Sequence, residues 1–273
     1  MTTNFLVVGG TGKTGRRVAD RLRERGVGVR ITSRRGAPPF DWSDRGTWAP
    51  VLEDVGAVYL TYYPDLVVPG AAADIRAFAE LAVARGVRHL VLLSGRGEEE
   101  AEACERIVAE AGTGWTVLRC SWFAQNFSEH FLLDAVRGGE IALPAGAVTE
   151  PFVDVRDIAD VAVKVLTEPG HTGRLYELTG PQLLSFADAA AVIAAASGRD
   201  VRYVPVSGEE YAAAAVEYGV PAEEAGALSE LFARVLDGRN ESVTHDVERV
   251  LGRPATDFED FARDAAAAGV WAR

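Results

Sequence analysis

The chain has 273 residues, 48% of them hydrophobic and 25% charged, with a formal net charge of −12; it is long enough to bury a real core and has the make-up of an ordinary soluble protein. The acid excess argues against nucleic acid or an anionic membrane surface as a partner, and no apolar run approaches the roughly 20 residues of a membrane span. Cys104 and Cys120, the two cysteines, make neither a disulfide framework nor a metal knuckle, so the expected compartment is a reducing cytoplasm, with no metal.

The first predicted element is an apolar strand, Phe5-Leu6-Val7-Val8, that breaks into Gly9-Gly10-Thr11-Gly12-Lys13-Thr14-Gly15. Gly9 can take the positive-φ turn that ends the strand, Gly12 lets the main chain approach a phosphate, and Gly15 lets the next helix pack closely. Thr11, Lys13 and Thr14 then stand at a helix N-terminus, where free amides and the dipole favour an anion. A Walker loop would need a further glycine five positions before Gly12, and that position is Val7. The turn is therefore of the dinucleotide type.

A helix over 16–25 ends at Gly26, and a second strand spans 27–32. An acidic residue after this strand would bind the adenosine ribose of NADH; the chain has Ser33-Arg34-Arg35 instead, which suits the 2′-phosphate of NADPH. A short strand or turn around Phe40-Asp41-Trp42 and a helix over 48–52 follow. Strands are predicted at 57–62, 89–93 and 114–118, with helices at 71–84 and 98–111 between them. Strand–helix alternation of this kind makes a doubly wound parallel sheet, a Rossmann fold, with ligands beyond the carboxyl ends of its strands. Gly9 to Thr14, Ser33-Arg34, Thr61 to Pro64, Ser94 to Arg96 and Cys120 to Phe123 stand there and form one rim.

Beyond Arg119 the alternation loosens. A helix is predicted at 128–136, strands at 140–144, 151–155, 175–179 and 201–204, a helix at 157–166 capped by an acidic residue, an alanine-rich helix at 185–196, and one or two helices at 209–237. The expected organisation is an α/β Rossmann domain over 1–126, with returning segments at about 150–180. A smaller carboxy-terminal α/β substrate-binding domain would occupy 127–273, as a lid over the rim. No repeat or low-complexity linker interrupts it.

The spaced glycines, Val91-Leu92-Leu93-Ser94, Leu118-Arg119, Trp122-Phe123-Ala124-Gln125-Asn126-Phe127, and Pro151-Phe152-Val153-Asp154-Val155 with Asp157-Ile158-Ala159 resemble the NmrA-like branch of atypical short-chain dehydrogenase/reductases. Phe40-Asp41-Trp42 and Trp48 are further similar to the festuclavine dehydrogenase (ergot alkaloid) subgroup, from which a place in secondary metabolism would follow. The resemblance implies NADP(H) as cofactor. Gly9, Thr11, Gly12, Lys13 and Thr14 would hold its pyrophosphate, Ser33 and Arg34 its 2′-phosphate, and Thr61, Tyr62, Tyr63, Ser94 and Gly95 would lie along the nicotinamide half. Cys120, Trp122 and Phe123 would sit beside the nicotinamide and the substrate. Members of this branch include quinone reductases, reductases of iminium, imine and enone bonds, and redox sensors that bind the dinucleotide and a protein partner without turnover.

The usual catalytic pair, a tyrosine four residues before a lysine, is missing. Lys13 and Lys164, the only lysines, are preceded at that distance by Gly9 and Asp160. Reduction of a simple ketone needs a proton donor, whose loss typically forfeits about a hundredfold to ten-thousandfold in rate. Strongly electrophilic acceptors need it less. The sequence therefore favours proximity catalysis from NADPH to a small planar conjugated substrate, a quinone ahead of an iminium or an enone. Tyr63, Trp122, Phe123, Phe127 and Phe152 are the candidate aromatic walls, with Tyr62 beside them. Ser94, Tyr62 and Tyr63 are the candidate catalytic hydroxyls. Cys120 reads as a small apolar filler beside the cofactor, and His130 as a surface residue on a helix flank whose reach to the pocket as an acid is left open. A homodimer is left open as well.

Overall fold

The computed structural model describes residues 4–129 and 131–272. In chain order the elements are β1 (Asn4–Val7), α1 (Lys13–Glu24), β2 (Val29–Ile31), α2 (Trp48–Val51), β3 (Val55–Leu60), α3 (Ala71–Ala84), β4 (His89–Gly95), α4 (Glu99–Ala109), β5 (Gly114–Cys120), α5 (Asn126–Glu129) and α6 (Leu133–Gly138). They continue with β6 (Glu140–Leu143), β7 (Thr149–Glu150), α7 (Val155–Thr167), β8 (Arg174–Leu178), β9 (Leu184–Ser185), α8 (Phe186–Ser197), β10 (Arg202–Pro205), α9 (Gly208–Glu217), α10 (Ala222–Val235), α11 (Asp246–Leu251) and α12 (Phe258–Ala267).

The chain divides into two compact units. The first takes the residues up to Cys120, then Val155–Leu178 and Asp246–Arg253. Its six strands form a wholly parallel sheet in the order β2-β1-β3-β4-β5-β8. Strands buried on both faces need apolar residues at successive positions, and Leu6, Val7, Val8, Val58, Tyr59, Leu60, Leu90, Val91 and Leu92 supply them. On one face, Val58, Leu60, Leu90 and Leu92 pack into a core with Ile75 and Phe78 of α3 and Cys104 and Val108 of α4. On the other, α7 crosses β3, β4 and β5 with α1 beside it.

The connection from β2 to β3 carries the second strand to one side of β1 and the third to the other, which makes the carboxyl ends of β1 and β3 the switch point of the sheet. The segment between those strands adds no further edge strand. It folds into an aromatic cluster in which Trp42 lies 5.1 Å from Phe40 and 5.5 Å from Phe78.

Helix α11 returns to the first unit through Arg253, which pairs with the fully buried Asp157 at 2.7 Å and with Asp160 at 2.6 Å. Asp160 also holds Arg21 of α1. The acidic residue expected to cap α7 therefore lies inside its first turn, as the anchor of a returning arginine.

The second unit comprises Ser121–Asp154, Thr179–His245 and Pro254–Arg273. Its core gathers Phe127, Phe152, Phe186, Phe258 and Trp271, and the Trp271 indole donates to the Phe127 carbonyl at 2.8 Å. Helices α8 and α9 each start in a capping box, Ser185 with Asp188 and Ser207 with Glu210. Two expectations are corrected here. The helix expected at 128–136 is two short helices, 126–129 and 133–138. The strand expected at 151–155 reduces to an isolated bridge between Phe123 and Val153, because helix α7 takes the chain from Val155.

Candidate functional site

The turn after β1 is built so tightly that three of its glycines have no room for a side chain. Gly9 sits at φ +71°, and a Cβ there would strike the Thr61 hydroxyl, at Gly10 Ile31, and at Gly15 the Gly9 carbonyl. Gly12 differs: a Cβ would stand 3.2 Å from the Gly9 carbonyl oxygen. It is the N-cap of α1, which begins with no side-chain cap and no acidic residue in its first turn. An uncapped, 12-residue helix aiming its first amides at the switch point is the donor set that a pyrophosphate needs, so these residues fit a dinucleotide. Thr11 and Gly12 are exposed, and Thr14 is buried beneath them.

The strand ends bring most of the other candidates to the same edge of the first unit. Thr61 donates its hydroxyl to the Val8 carbonyl at 3.0 Å and accepts the Trp42 indole at 3.2 Å, which ties β3 to the glycine turn. Arg34, exposed after β2, lies with its guanidinium 5.4 Å from the centre of the Tyr63 ring. Tyr63 is 67% exposed. Ser33 is half-buried, and its carbonyl accepts Gly36 and Phe40 amides at 3.0 Å.

Two of the three candidate catalytic hydroxyls have committed their protons. Tyr62 donates to Asp74 Oδ2 at 2.9 Å and lies 4.7 Å from Trp42. Burial, and then the Asp74 carboxylate, push its phenol up to about 12. A tyrosine so placed belongs to the α3 side of the sheet, and this geometry is at odds with a role as proton donor. Ser94 donates to Glu105 Oε1 at 2.6 Å, with both residues buried. Arg119 holds Glu105 through Nε at 2.9 Å and through a second, shorter contact, and reaches Glu177 at 3.2 Å.

Cys120 ends β5 fully buried, and the cost of burying a thiolate raises its thiol far above the ordinary range; Gly95 stands on β4 with the Glu98 carboxylate against it. In the second unit Phe127 and Phe152 are core residues, 5.4 Å apart and in contact with Phe258, instead of open walls. Trp122 and Phe123 are half-buried. Trp122 lies 5.7 Å from Phe232 at 30°, Phe131 lies 6.0 Å from Phe232 at 28°, and the buried Trp122 indole N–H has no hydrogen-bond partner among the described residues. His130 lies outside the described residues.

Sequence reasoning did not assign Glu105, Asp74, Phe131 or Phe232. A signal existed for the first of these. Glu105 falls on the same helical face as Ala101, Cys104 and Val108, all buried, and a carboxylate on an apolar face needs a partner. Among the described residues no group of His, Cys, Asp or Glu is arranged to hold a metal ion, and no helix is long and apolar enough to cross a membrane.

This parallel, Gly-turned sheet with no Tyr–Lys pair defines an atypical short-chain dehydrogenase/reductase fold. The chain belongs to the same family as the agroclavine and festuclavine dehydrogenases, and it shares its fold with NmrA, on which it superposes with a TM-score of 0.74 at 16% identity. It is 34% identical to an NAD(P)H azoreductase of Xenophilus azovorans, over 97% of this chain and 98% of that one. It is 32% identical to an agroclavine dehydrogenase of Claviceps fusiformis, over 95% and 96%. Among solved structures, an NADPH-dependent quinone oxidoreductase from Escherichia coli complexed with NADPH superposes with a TM-score of 0.81 over 95% of this chain and 99% of that chain, at 22% identity. No protein-family model matches the chain.

Proposed function

We propose that this protein is an NADPH-dependent reductase that transfers hydride to a small planar conjugated electrophile, with a quinone as the first acceptor class and an iminium, azo or enone bond as the alternative. The observation that carries this reading is the commitment of Ser94 to Glu105 and of Tyr62 to Asp74 in a chain without a Tyr–Lys pair. Neither hydroxyl is available to protonate a developing alkoxide. An acceptor that stabilises the incoming charge by conjugation, or that hydride itself neutralises, needs no such proton. The azoreductase and agroclavine dehydrogenase relatives have names that point to nitrogen–nitrogen and clavine chemistry, which supports acceptors of this kind.

NADPH would be held at the glycine turn by the amides of Gly12, Lys13 and Thr14, and at its 2′-phosphate by Ser33 and Arg34; when bound it supplies the hydride. The test is loss of reduced-nicotinamide absorbance with a panel of quinones, azo dyes, iminium compounds and simple ketones. Turnover confined to the conjugated acceptors supports the reading. Tight cofactor binding with no turnover on any acceptor overturns it in favour of a redox sensor that acts through a protein partner.

A further inference from the structure

The direction of the Ser94–Glu105 hydrogen bond is fixed by a third residue. Glu105 Oε1 accepts from Ser94 at 2.6 Å and from Arg119 Nε at 2.9 Å, while its other oxygen meets a second nitrogen of the same guanidinium. A carboxylate gripped in this way by an arginine is ionised and can only accept, so the shared proton belongs to Ser94. Arg119 is itself held by Glu177 at 3.2 Å, and Glu177 by Arg96 at 3.5 Å, which keeps the guanidinium on Glu105. A serine hydroxyl has one hydrogen. With that hydrogen spent on Glu105, Ser94 Oγ has only lone pairs left for a ligand.

We propose that Glu105 is a positioning residue that makes Ser94 an acceptor-only contact for the carboxamide N–H of the nicotinamide. This inference rests on the NADP(H)-binding reading above. The sheet order supports it. The glycine turn follows β1 and Ser33-Arg34 follow β2, so a dinucleotide seated on both runs its other half over the ends of β3 and β4. Ser94 stands there, two strand spacings or about 10 Å from β1. The carboxamide carries the only N–H of the nicotinamide half. An acceptor at this position fixes the orientation of the carboxamide about its bond to the ring.

The test is equilibrium binding by calorimetry to the full chain, comparing NADP⁺ with its 3-acetylpyridine analogue, in which a methyl group replaces the carboxamide nitrogen. The wild-type chain is expected to prefer NADP⁺ by roughly tenfold, as one hydrogen bond to a prearranged acceptor predicts. Ser94→Ala should bind the two alike. Glu105→Gln can turn its amide N–H towards Ser94 and release the serine proton outward, and it too should lose the preference; a merely structural role for Glu105 would weaken both ligands equally. A preference that survives in Ser94→Ala, or in a folded Glu105→Gln, overturns the inference. So does a wild-type chain that binds both ligands with equal affinity, and that result leaves the cofactor reading standing. A wild-type chain that binds neither overturns both.

Discussion

Arg34 lies over the ring of Tyr63, with its guanidinium carbon 5.4 Å from the ring centre. The two residues follow strands that flank β1, one after β2 and the other after β3, and the contact brings Tyr63 to the residue proposed to hold the 2′-phosphate. A tyrosine expected at the substrate is thereby offered to the cofactor. Arg34→Ala should weaken NADPH binding by about tenfold to a hundredfold, the worth of a charge-assisted contact to the 2′-phosphate, and should leave NADH nearly unchanged. Tyr63→Ala should show the same selectivity at only severalfold, since an exposed cation–π contact contributes about 0.5–1 kcal/mol. Fluorescence titration with the two cofactors separates these outcomes.

The glycine turn offers a contrast between folding and binding. At Gly15 a methyl group would collide with the Gly9 carbonyl, which is backbone and cannot swing away. Gly15→Ala should therefore lower the denaturant midpoint, at a cost of about 1–3 kcal/mol. At Gly12 the methyl would stand 3.2 Å from that carbonyl oxygen, a tight contact that small shifts relieve. Gly12→Ala should fold with near-normal stability and bind the dinucleotide poorly, because the methyl occupies the approach to the amides. Urea unfolding and cofactor titration on the same two variants check the pair.

Tyr62 and Cys104 make the fold sensitive to alkali. Burial, followed by Asp74, raises Tyr62 from 10.0 to about 12, and burial, followed by Glu105 and Asp65, raises Cys104 from 9.0 to about 11. Both groups hold their protons more tightly folded than unfolded. Their contribution to stability is complete below about pH 9, and it is lost as pH rises from there to about 12. Urea unfolding at a series of pH values should show stability falling through that window, with the part above pH 10 flattened in Tyr62→Phe. At neutral pH, Tyr62→Phe should cost about 1 kcal/mol for the lost hydrogen bond and leave turnover intact.

The Glu105–Arg119 pair is nearly dry on the acid's side, with 6% of the Glu105 side chain exposed. Arg119→Met should destabilise the protein by about 3 kcal/mol, because it strands a buried carboxylate. Adding Glu105→Gln to that variant should recover a large part of the loss. Thermal unfolding of the single and double variants measures the coupling.

Much of the first unit was legible in the sequence, because its signals are local. Apolar runs of about four to six residues set β1, β3, β4 and β5, and for the first three a glycine or a small polar residue and then a helical pattern follows, which also set α1, α3 and the rim at the strands' carboxyl ends. The spacing of Gly9, Gly12 and Gly15 marked the turn for the same reason, since Gly12 and Gly15 both close on the Gly9 carbonyl a few residues away and Gly9 itself takes a positive φ. Absence was legible too: counting four residues back from two lysines disposed of the usual acid.

The hydroxyls were not legible in this way. Ser94, Tyr62 and Tyr63 look alike as strand-end donors, and what each can do depends on a partner 11 or 12 residues away, or 29 in the case of Tyr63, on an element that only the packed sheet brings near. Glu105 and Arg119 decide for Ser94, Asp74 decides for Tyr62, and Arg34 decides for Tyr63. In the second unit the aromatic residues pose the same problem. Phe127 and Phe152 became core while Trp122 stayed half-buried, and nothing in their spacing separates these fates. The sequence by itself determined the parallel sheet, the phosphate-binding turn and the lack of a Tyr–Lys pair, since periodicity and steric exclusion act over a few residues. Tertiary structure alone decided which hydroxyls keep a proton to give, because hydrogen-bond direction is set by neighbours in space.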